Sequence, residues 1–392
     1  MEQASGKAKW LKRLGGVIAA AGLGLFLMLS GCEQFGAIPK GADHERMKRS
    51  ENYDVADDRF VNRAAGIIDE MMAHSGFWAN PRENLTNNFL FNPNQTRPDF
   101  PLPDIKGAIP EDLRATQDTV KFAWLGHATV MASIKGQTVL FDPVFAESAS
   151  PVSWAVTRYQ PPVLKLEDLP AIDLVVISHD HYDHLDMQTI KFLAASETRF
   201  LVPLGVAPHL QRWGIEPDRI TEFDWWQSRQ IGDITFICTP AQHFSGRTGT
   251  FRMQKSLWSS WVVKTDSHSV YFSGDSGYAD HYAEIGARYG PFDLTFIDAG
   301  QYNKRWRQVH NLPPEVVDAY VDLQGKILVP IGWGMFTLAL HNWYDPPVEV
   351  STRAAERGLS VTVPKIGEWV DISQPLPNDN WWIPLIEQSG GQ

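Results

Sequence analysis

Short runs of β-branched and aromatic residues recur along the chain from Val120 onward. Each run has at most eight residues and is bounded by Gly, Pro or Asp, and stretches with helical spacing of apolar positions separate several of them. The runs read VKFAWL, VLFDP, DLVVIS, RFLVP, DITFICTP, SVYFSGD, DLTFID and KILVPIG. Strands that alternate with helices in this way predict one α/β domain with substantial sheets, over about residues 116–375.

The residues before this domain follow a different pattern. Apolar positions over 61–73 (VNRAAGIIDEMMA) have helical spacing, which predicts a helix. The stretch 80–110 is rich in Pro and Asn and predicts irregular chain laid over another surface. We therefore divide the chain into a segment 1–31, a tether and N-terminal extension over 32–115, and a catalytic domain over 116–392.

The first 31 residues have the pattern of a targeting segment. Basic residues between Lys7 and Arg13 precede an uncharged apolar stretch over 14–28, and Leu29-Ser30-Gly31-Cys32 follows. This ending resembles the lipobox of bacterial lipoproteins, which implies cleavage before Cys32 and attachment to a membrane through lipid on that cysteine. An uncleaved anchor over 14–31 is the alternative, because this stretch is just long enough to span a bilayer.

The lipobox resemblance also implies a location. Glu33 rather than Asp follows Cys32, which in Gram-negative lipoproteins favours the outer membrane, facing the periplasm. The segment from Glu33 to about Ser50 is then expected to be a short tether.

Composition narrows the functional classes. Of the 392 residues, 43% are hydrophobic and 21% are charged, which is typical of a globular protein rather than a disordered one. The 46 acidic residues outnumber the 35 basic ones and give a net charge of -11, so nucleic acid is disfavoured as a main partner. Two cysteines, Cys32 and Cys238, exclude a disulfide scaffold.

The most specific motif is HDHYDH at 179–184, directly after the strand-like run 172–177. In an extended chain His179 and His181 point to the same side, so they can share one metal ion. Asp183 and His184, further along, can reach a second ion beside it. Imidazole and carboxylate are ligands that Zn²⁺ prefers. The motif therefore predicts a metal-binding loop at the carboxyl end of a strand.

Three later residues each follow a strand-like run, namely His243, Asp275 and His341. In α/β proteins the carboxyl ends of the strands form the rim where ligands bind. We therefore expect these three side chains to converge on the same rim as the metal-binding loop.

The order of Asp142, the block 179–184 and the three later residues resembles that of the metallo-β-lactamase superfamily. Further motifs are similar to those of the branch containing N-acyl-phosphatidylethanolamine-hydrolysing phospholipase D. They are WLGHAT at 124–129, DWW at 224–226, TPAQH at 239–243, GPFD at 290–293 and WG at 333–334. The resemblance runs from about Lys121 to Lys365 and implies an αββα sandwich with an N-terminal extension.

The resemblance also implies a ligand set for two Zn²⁺ ions per chain. The first ion is assigned to His179, His181 and His243. The second is assigned to Asp183, His184 and His341, with Asp275 bridging both ions. Asp142 is expected to orient ligands from behind. Two ions about 3.5–4 Å apart would activate a bridging hydroxide, which Asp183 could orient.

The expected substrate contacts are fewer. His310 matches a histidine of the phospholipase branch and is a candidate for contacting substrate or protonating the leaving group; a solvent-facing loop histidine is the alternative. Arg305 and Trp306 also match, and the cluster KRWR at 304–307 could bind a lipid phosphate or be a solvated charge run. Gly332 departs from the pattern, because the phospholipase branch has histidine there.

These features lead to the hypothesis of a lipid-tethered dinuclear zinc hydrolase. It would be a phosphodiesterase of phospholipase D type that acts on N-acylated or related phospholipids of the cell envelope. A lactonase or another small-substrate hydrolase of the same fold is the first alternative. A non-catalytic zinc-binding lipoprotein is the second, although seven ligands argue against it because structural zinc sites are closed and mononuclear.

Overall fold

The computed structural model describes residues 33–75, 92–115, 118–248 and 253–388. The predicted signal segment and Cys32 lie outside the described residues. Within those ranges, no helix has both the length and the apolar composition needed to cross a membrane.

A seven-stranded mixed sheet positions the predicted metal-binding loop, which follows one of its strands. Its order is β15-β3-β4-β5-β6-β7-β8, in which the pairs from β15 to β5 are antiparallel and those from β5 to β8 are parallel. The strands are β3 Val120–Trp124, β4 Val130–Ile134, β5 Gln137–Phe141, β6 Leu174–Val176, β7 Arg199–Pro203, β8 Ile220–Phe223 and β15 Trp369–Asp371.

A six-stranded mixed sheet positions His243 and Asp275, which each follow one of its strands. Its order is β14-β13-β12-β11-β10-β9, and β12, β13 and β14 run parallel to one another. The strands are β9 Ser228–Ile231, β10 Ile234–Thr239, β11 Ser260–Lys264, β12 Ser269–Phe272, β13 Leu294–Asp298 and β14 Leu328–Ile331.

The two sheets pack face to face and enclose the main core. Aromatic side chains join their inner faces, with ring centroids 5.0–5.1 Å apart, in the pairs Phe122–Phe296, Phe141–Phe272 and Phe223–Trp261. Such pairs add about 0.5–1.5 kcal/mol each beyond the burial of their area. The rim of both sheets is thereby held in one rigid frame.

Helices cover the outer faces of the sandwich. Val316 and Val350 lie in a second apolar cluster with Val262 and Ile297 of the six-stranded sheet. Ile190 and Leu210 belong to the main core, on the side of the seven-stranded sheet. The helices are α1 Ala42–Met47, α2 Ile67–Ser75, α3 Met187–Leu193, α4 Ala207–Arg212, α5 His281–Tyr289, α6 Pro313–Asp322, α7 Asp345–Glu356 and α8 Trp382–Gln388.

From Glu33 onward the chain packs against the domain. The backbone oxygen of Glu33 accepts a hydrogen bond from Trp213 Nε1 at 2.8 Å, and that of Gln34 accepts one from Arg247 Nε at 2.9 Å. The segment up to Ser50, expected as a tether, therefore lies on the surface of the domain. Hydrogen bonds to the buried Arg247 are the physical reason for this difference.

The rest of the extension also lies on the domain. A hairpin of β1 Tyr53–Asp54 and β2 Arg59–Phe60 buries Phe60 completely. Residues 92–115 run along the sandwich, where Leu102 is buried and Asp104 bridges Ile366.

The predicted αββα architecture is confirmed, and all eight predicted strand runs contain a strand. The strands β1, β2, β4, β8, β9, β11 and β15 were not predicted. The helix predicted over 61–73 begins only at Ile67, because Gly66 has φ +75° and Asn62 before it bonds to another loop.

Candidate metal centre

The candidate centre lies at one rim of the sandwich, where strands of both sheets end. The loop 177–184 follows β6 of the seven-stranded sheet. His243 and Asp275 follow β10 and β12 of the six-stranded sheet. The parallel direction of β6 and its neighbours, and of β12 with β13 and β14, places these chain ends side by side.

A first cluster unites three imidazoles and a carboxylate. The potential ligand atoms of His179, His181, His243 and Asp275 lie within 4.8 Å of one another. His181 Nδ1 is 2.9 Å from His179 Nε2 and 3.2 Å from His243 Nε2. Burial, together with the neighbouring imidazoles of His184 and His181, holds the pKa of His179 well below its usual range. His179 is therefore neutral, as a metal ligand must be.

A second cluster adjoins the first and consists of His127, Asp183 and His184. Asp183 Oδ2 is 2.7 Å from His127 Nε2 and 3.5 Å from His184 Nε2. Burial alone would raise the pKa of Asp183, but His184 and His127 outweigh it and hold this pKa well below its usual range. The carboxylate therefore stays ionised and can bind a cation.

Asp275 lies between the two clusters. Its Oδ2 is 3.1 Å from His184 Nε2, 3.8 Å from His243 Nε2 and 4.0 Å from His179 Nε2. One carboxylate oxygen thus faces nitrogens of both clusters, which is the arrangement expected of a bridging ligand.

Buried groups behind the clusters fix the orientation of the imidazoles. Asp142 Oδ2 is 2.6 Å from His184 Nδ1, and Oδ1 accepts a hydrogen bond from the Ser178 backbone at 2.7 Å. The backbone oxygen of Val309 lies 2.9 Å from His243 Nδ1. In both histidines Nε2 therefore faces the centre, as in metal sites where a carboxylate or carbonyl holds the other ring nitrogen.

The donor set fits a divalent metal. Asp275 Oδ1 is buried and has no hydrogen-bond partner among the described residues, and His184 Nε2 faces only carboxylates there. A buried polar atom without a partner costs about 1–3 kcal/mol, and a bound cation would remove that cost. Imidazole and carboxylate suit zinc, and they also suit iron and manganese in differing degree.

His341 does not join either cluster, contrary to the expectation. Its Nε2 lies 2.5 Å from the Gly300 backbone oxygen and its Nδ1 lies 2.8 Å from that of Asn342. Its ring stacks on Tyr302 at a centroid distance of 4.2 Å. Both nitrogens are thus directed at backbone carbonyls, because the loop after β14 carries His341 past the rim.

His310 lies beside the centre and not in a solvent-facing loop. Its Nδ1 is 2.8 Å from Asp298 Oδ2, and its ring meets that of His243 edge to face at 5.1 Å. Burial alone would lower the pKa of His310, but the carboxylates of Asp298 and Asp275 outweigh it and raise this pKa. The side chain is therefore positioned to hold a proton next to the clusters.

A cavity of about 280 Å³ opens onto both clusters. His310 and Trp306 line it, while Arg305 contacts Trp306 with its guanidinium 5.5 Å from the ring centroid and does not line the cavity. The other lining residues are Met71, His181, Asp183, His243, Phe244, Asp275, Gln301, Val309 and Leu338. The walls are largely apolar, and the polar groups concentrate at the metal-binding end.

Comparison with known proteins agrees with this geometry. Residues 137–333, about half of the chain, match the model of the beta-lactamase superfamily domain. The chain belongs to the metallo-β-lactamase superfamily. It has the hydrolase fold of this superfamily, with a divalent metal site formed by histidine and aspartate side chains.

Individual relatives match more than half of this chain. An uncharacterised protein of Mycobacterium tuberculosis is 42% identical over 292 residues, which cover 73% of this chain and 77% of that protein. The N-acyl-phosphatidylethanolamine-hydrolyzing phospholipase D 1 of Caenorhabditis elegans is 38% identical over 57% of this chain and 66% of its own. Igni18, a metallo hydrolase of Ignicoccus hospitalis, shares the fold with a TM-score of 0.51 and 20% identity, covering 64% of this chain and 98% of its own.

Two residues of the centre were not predicted. His127 lies in the motif WLGHAT, which contributed to the resemblance without any role being assigned to its histidine. Asp298 ends the strand run DLTFID, the same signal that singled out Asp275 after its own strand. The rule that a polar residue at the end of a buried strand is a candidate ligand would therefore also have selected Asp298.

Proposed function

We propose that this protein is a dinuclear zinc hydrolase that cleaves a phosphodiester bond of a phospholipid, in the manner of a phospholipase D. The observation that carries the proposal is the pair of His/Asp clusters joined by Asp275 at the end of a mainly apolar cavity. The similarity to a worm phospholipase D of this superfamily supports the choice of substrate class.

The proposed chemistry divides between the metals and the side chains. Two zinc ions, when bound, lower the pKa of the attacking water and offset the charge of the phosphoryl group. Asp183, held by His127 at 2.7 Å, accepts a hydrogen bond from that water and orients it. His310, held by Asp298 at 2.8 Å, donates a proton to the leaving alkoxide. The products are a phosphatidic acid and the released headgroup alcohol.

The cavity walls fit a lipid better than a small polar substrate. Met71, Phe244 and Leu338 form an apolar surface beside the clusters. Such a surface would contact acyl chains, and their removal from water would contribute about 25 cal/mol per Å². Trp306 adds a further aromatic wall, and the hydrogen bond from its Nε1 to the Gln301 backbone oxygen at 2.6 Å fixes the ring.

We also propose that the protein is lipidated on Cys32 and acts at an envelope membrane. The described chain begins beside the metal-binding loop, because Arg247 bonds both the Gln34 and the Asp180 backbone oxygens. Lipid on Cys32 would therefore enter the membrane close to Asp180, on the side of the molecule that carries the centre.

The test uses full-length protein in detergent with total bacterial lipid, and mass spectrometry to identify the products. Release of headgroup alcohols together with phosphatidic acid is the expected result, and Asp275→Asn should abolish it. An unchanged lipid profile together with turnover of a lactone would contradict the proposal and favour a small-substrate hydrolase.

A further inference from the structure

Three neighbouring parallel strands end side by side at the metal-binding rim. Asp275 follows β12, Asp298 is the last residue of β13, and Gly332 follows β14. Asp298 pairs with Ile331, so it lies next to Gly332 across the sheet. A ligand from the end of β13 can therefore reach much the same space as one from the end of β14.

The carboxylate of Asp298 occupies the space that a side chain at position 332 would enter. Gly332 has φ +86°, and a Cβ atom built on it would lie 2.8 Å from Asp298 Oδ1. This contact is closer than real Cβ atoms tolerate. A side chain at position 332 would therefore displace the Asp298 carboxylate, and the positive φ disfavours any residue other than glycine there.

Asp298 is also placed as a ligand would be. The potential ligand atoms of Asp275, Asp298 and His310 lie within 4.8 Å of one another, and all three residues are largely buried. Asp298 Oδ2 is bonded to His310 and accepts from the Ser276 backbone nitrogen at 3.3 Å, whereas among the described residues Oδ1 accepts only from the Gly300 backbone nitrogen at 3.3 Å. Asp275 Oδ1 has no hydrogen-bond partner among the described residues although it is buried. Two buried carboxylates this close repel each other. The imidazoles of His310 and His184 beside them offset this repulsion in the metal-free chain, and a bound cation would offset it as well.

We propose that Asp298, which lies beside Asp275 and fills the space left by Gly332, is a ligand of the second metal position. The inference rests on the dinuclear centre proposed above. His310 then holds Asp298 by a hydrogen bond, as the groups around ligating carboxylates usually do.

The two positions would then differ in chemistry. The first has three imidazoles and the shared Asp275. At the second, His127 is hydrogen-bonded to Asp183 at 2.7 Å, so the direct ligands are the imidazole of His184 with Asp183, Asp275 and Asp298. Oxygen ligands favour harder cations such as Mn²⁺. The second ion should therefore exchange for manganese more readily than the first.

The test measures metal binding and not turnover. Full-length wild type, Asp298→Asn and Asp293→Asn are equilibrated with zinc in detergent, and bound metal is counted by elemental analysis. Asp293 precedes the opposite end of β13 and pairs with Lys326, so its variant is the matched control. We expect two ions in wild type and control, and at least tenfold weaker binding of one ion in Asp298→Asn.

A measurement on the wild type covers the case in which Asp298→Asn does not fold. In cadmium-loaded protein with ¹⁵N-labelled histidine, four ring nitrogens should couple to cadmium, three at one ion and one at the other. Two equally tight ions in folded Asp298→Asn, or cadmium coupling to a ring nitrogen of His310 or His341, would overturn the assignment of Asp298 while leaving a dinuclear centre in place. A single ion in the wild type would overturn both proposals.

Discussion

At the scale of single residues, buried hydrogen bonds decide which histidines are available to a metal. Asp142 occupies Nδ1 of His184, so Nε2 faces the carboxylates of Asp275 and Asp183 at the centre. The carbonyls of Gly300 and Asn342 instead face both nitrogens of His341. Both residues are histidines that follow a strand-like run, so the sequence pattern does not distinguish them. The course of the loop after β14 places His341 outside the clusters.

This contrast gives a direct prediction. His184→Gln should lower metal content and reduce turnover at least a hundredfold, because it removes an imidazole that faces Asp275 at 3.1 Å. His341→Gln should leave two ions bound and reduce turnover less than tenfold. Elemental analysis of both purified variants checks this, and loss of one ion from His341→Gln would show that the loop after β14 reaches the centre.

Asp142 gives a second residue-scale prediction. Asp142→Asn keeps the size of the side chain but removes the charge that holds Nδ1 of His184 protonated, at 2.6 Å. Metal affinity should fall about 10- to 100-fold, the usual effect of losing a carboxylate behind a ligating histidine. Competition with a chelator measures it. Asp293→Asn should match the wild type, because Asp293 bonds Lys326 and the Ser269 backbone nitrogen at the opposite end of β13. Equal affinity in both variants would contradict the role given to Asp142.

At the scale of elements, the central strands such as β6, β13 and β14 were predictable because they are buried on both faces, which makes them continuously apolar. The ligand loops were predictable because each follows such a run. The strand Val130–Ile134 was not predicted because it follows the motif WLGHAT directly, with no turn residue between them. The strand Ser228–Ile231 was not predicted because its residues are mostly polar and exposed. The position of His341 depends on long-range contacts of its loop, which a local pattern does not contain.

The extension takes part in the centre through Asn62. Its Nδ2 donates to the His243 backbone oxygen at 2.8 Å, and its Oδ1 accepts from the His243 backbone nitrogen at 3.2 Å. Asn62→Ala should lower the free energy of unfolding by about 1–2 kcal/mol and weaken metal binding by displacing His243.

Asn52→Ala is the matched control for this element. Asn52 also belongs to the extension, but its Nδ2 bonds Asp224 Oδ1 at 2.9 Å, away from the metal ligands. Urea unfolding of both metal-free variants should show similar losses, whereas chelator competition should separate them. If both variants bind zinc like the wild type, the extension stabilises the fold without positioning His243.

At the scale of the whole molecule, the centre joins the two sheets and should contribute to their association. His179 and His184 follow a strand of the seven-stranded sheet, while His243 and Asp275 follow strands of the six-stranded one. A metal that binds only the folded chain stabilises it by about 2.7 kcal/mol at a hundred times its dissociation constant. Removal of metal by a chelator should therefore lower the melting temperature of the wild type. The melting temperature of Asp275→Asn should be much less sensitive to the chelator, and equal sensitivity would show that the ions act elsewhere.

The last prediction concerns the membrane. Because the described chain begins beside the metal-binding loop, lipid on Cys32 would hold this rim within a few residues of the bilayer. Confinement of enzyme and lipid substrate to one surface raises their effective concentration without any new contact. A fragment beginning at Glu33 should therefore match the full-length protein on detergent-dispersed phospholipid and be at least tenfold slower on intact vesicles. Cys32→Ser in the full chain separates lipidation from the apolar stretch 14–31, because that stretch remains and only the acylated cysteine is lost. Equal rates of the fragment and the lipidated protein on vesicles would show that the amino-terminal segment serves location alone, and would remove this support for a lipid substrate.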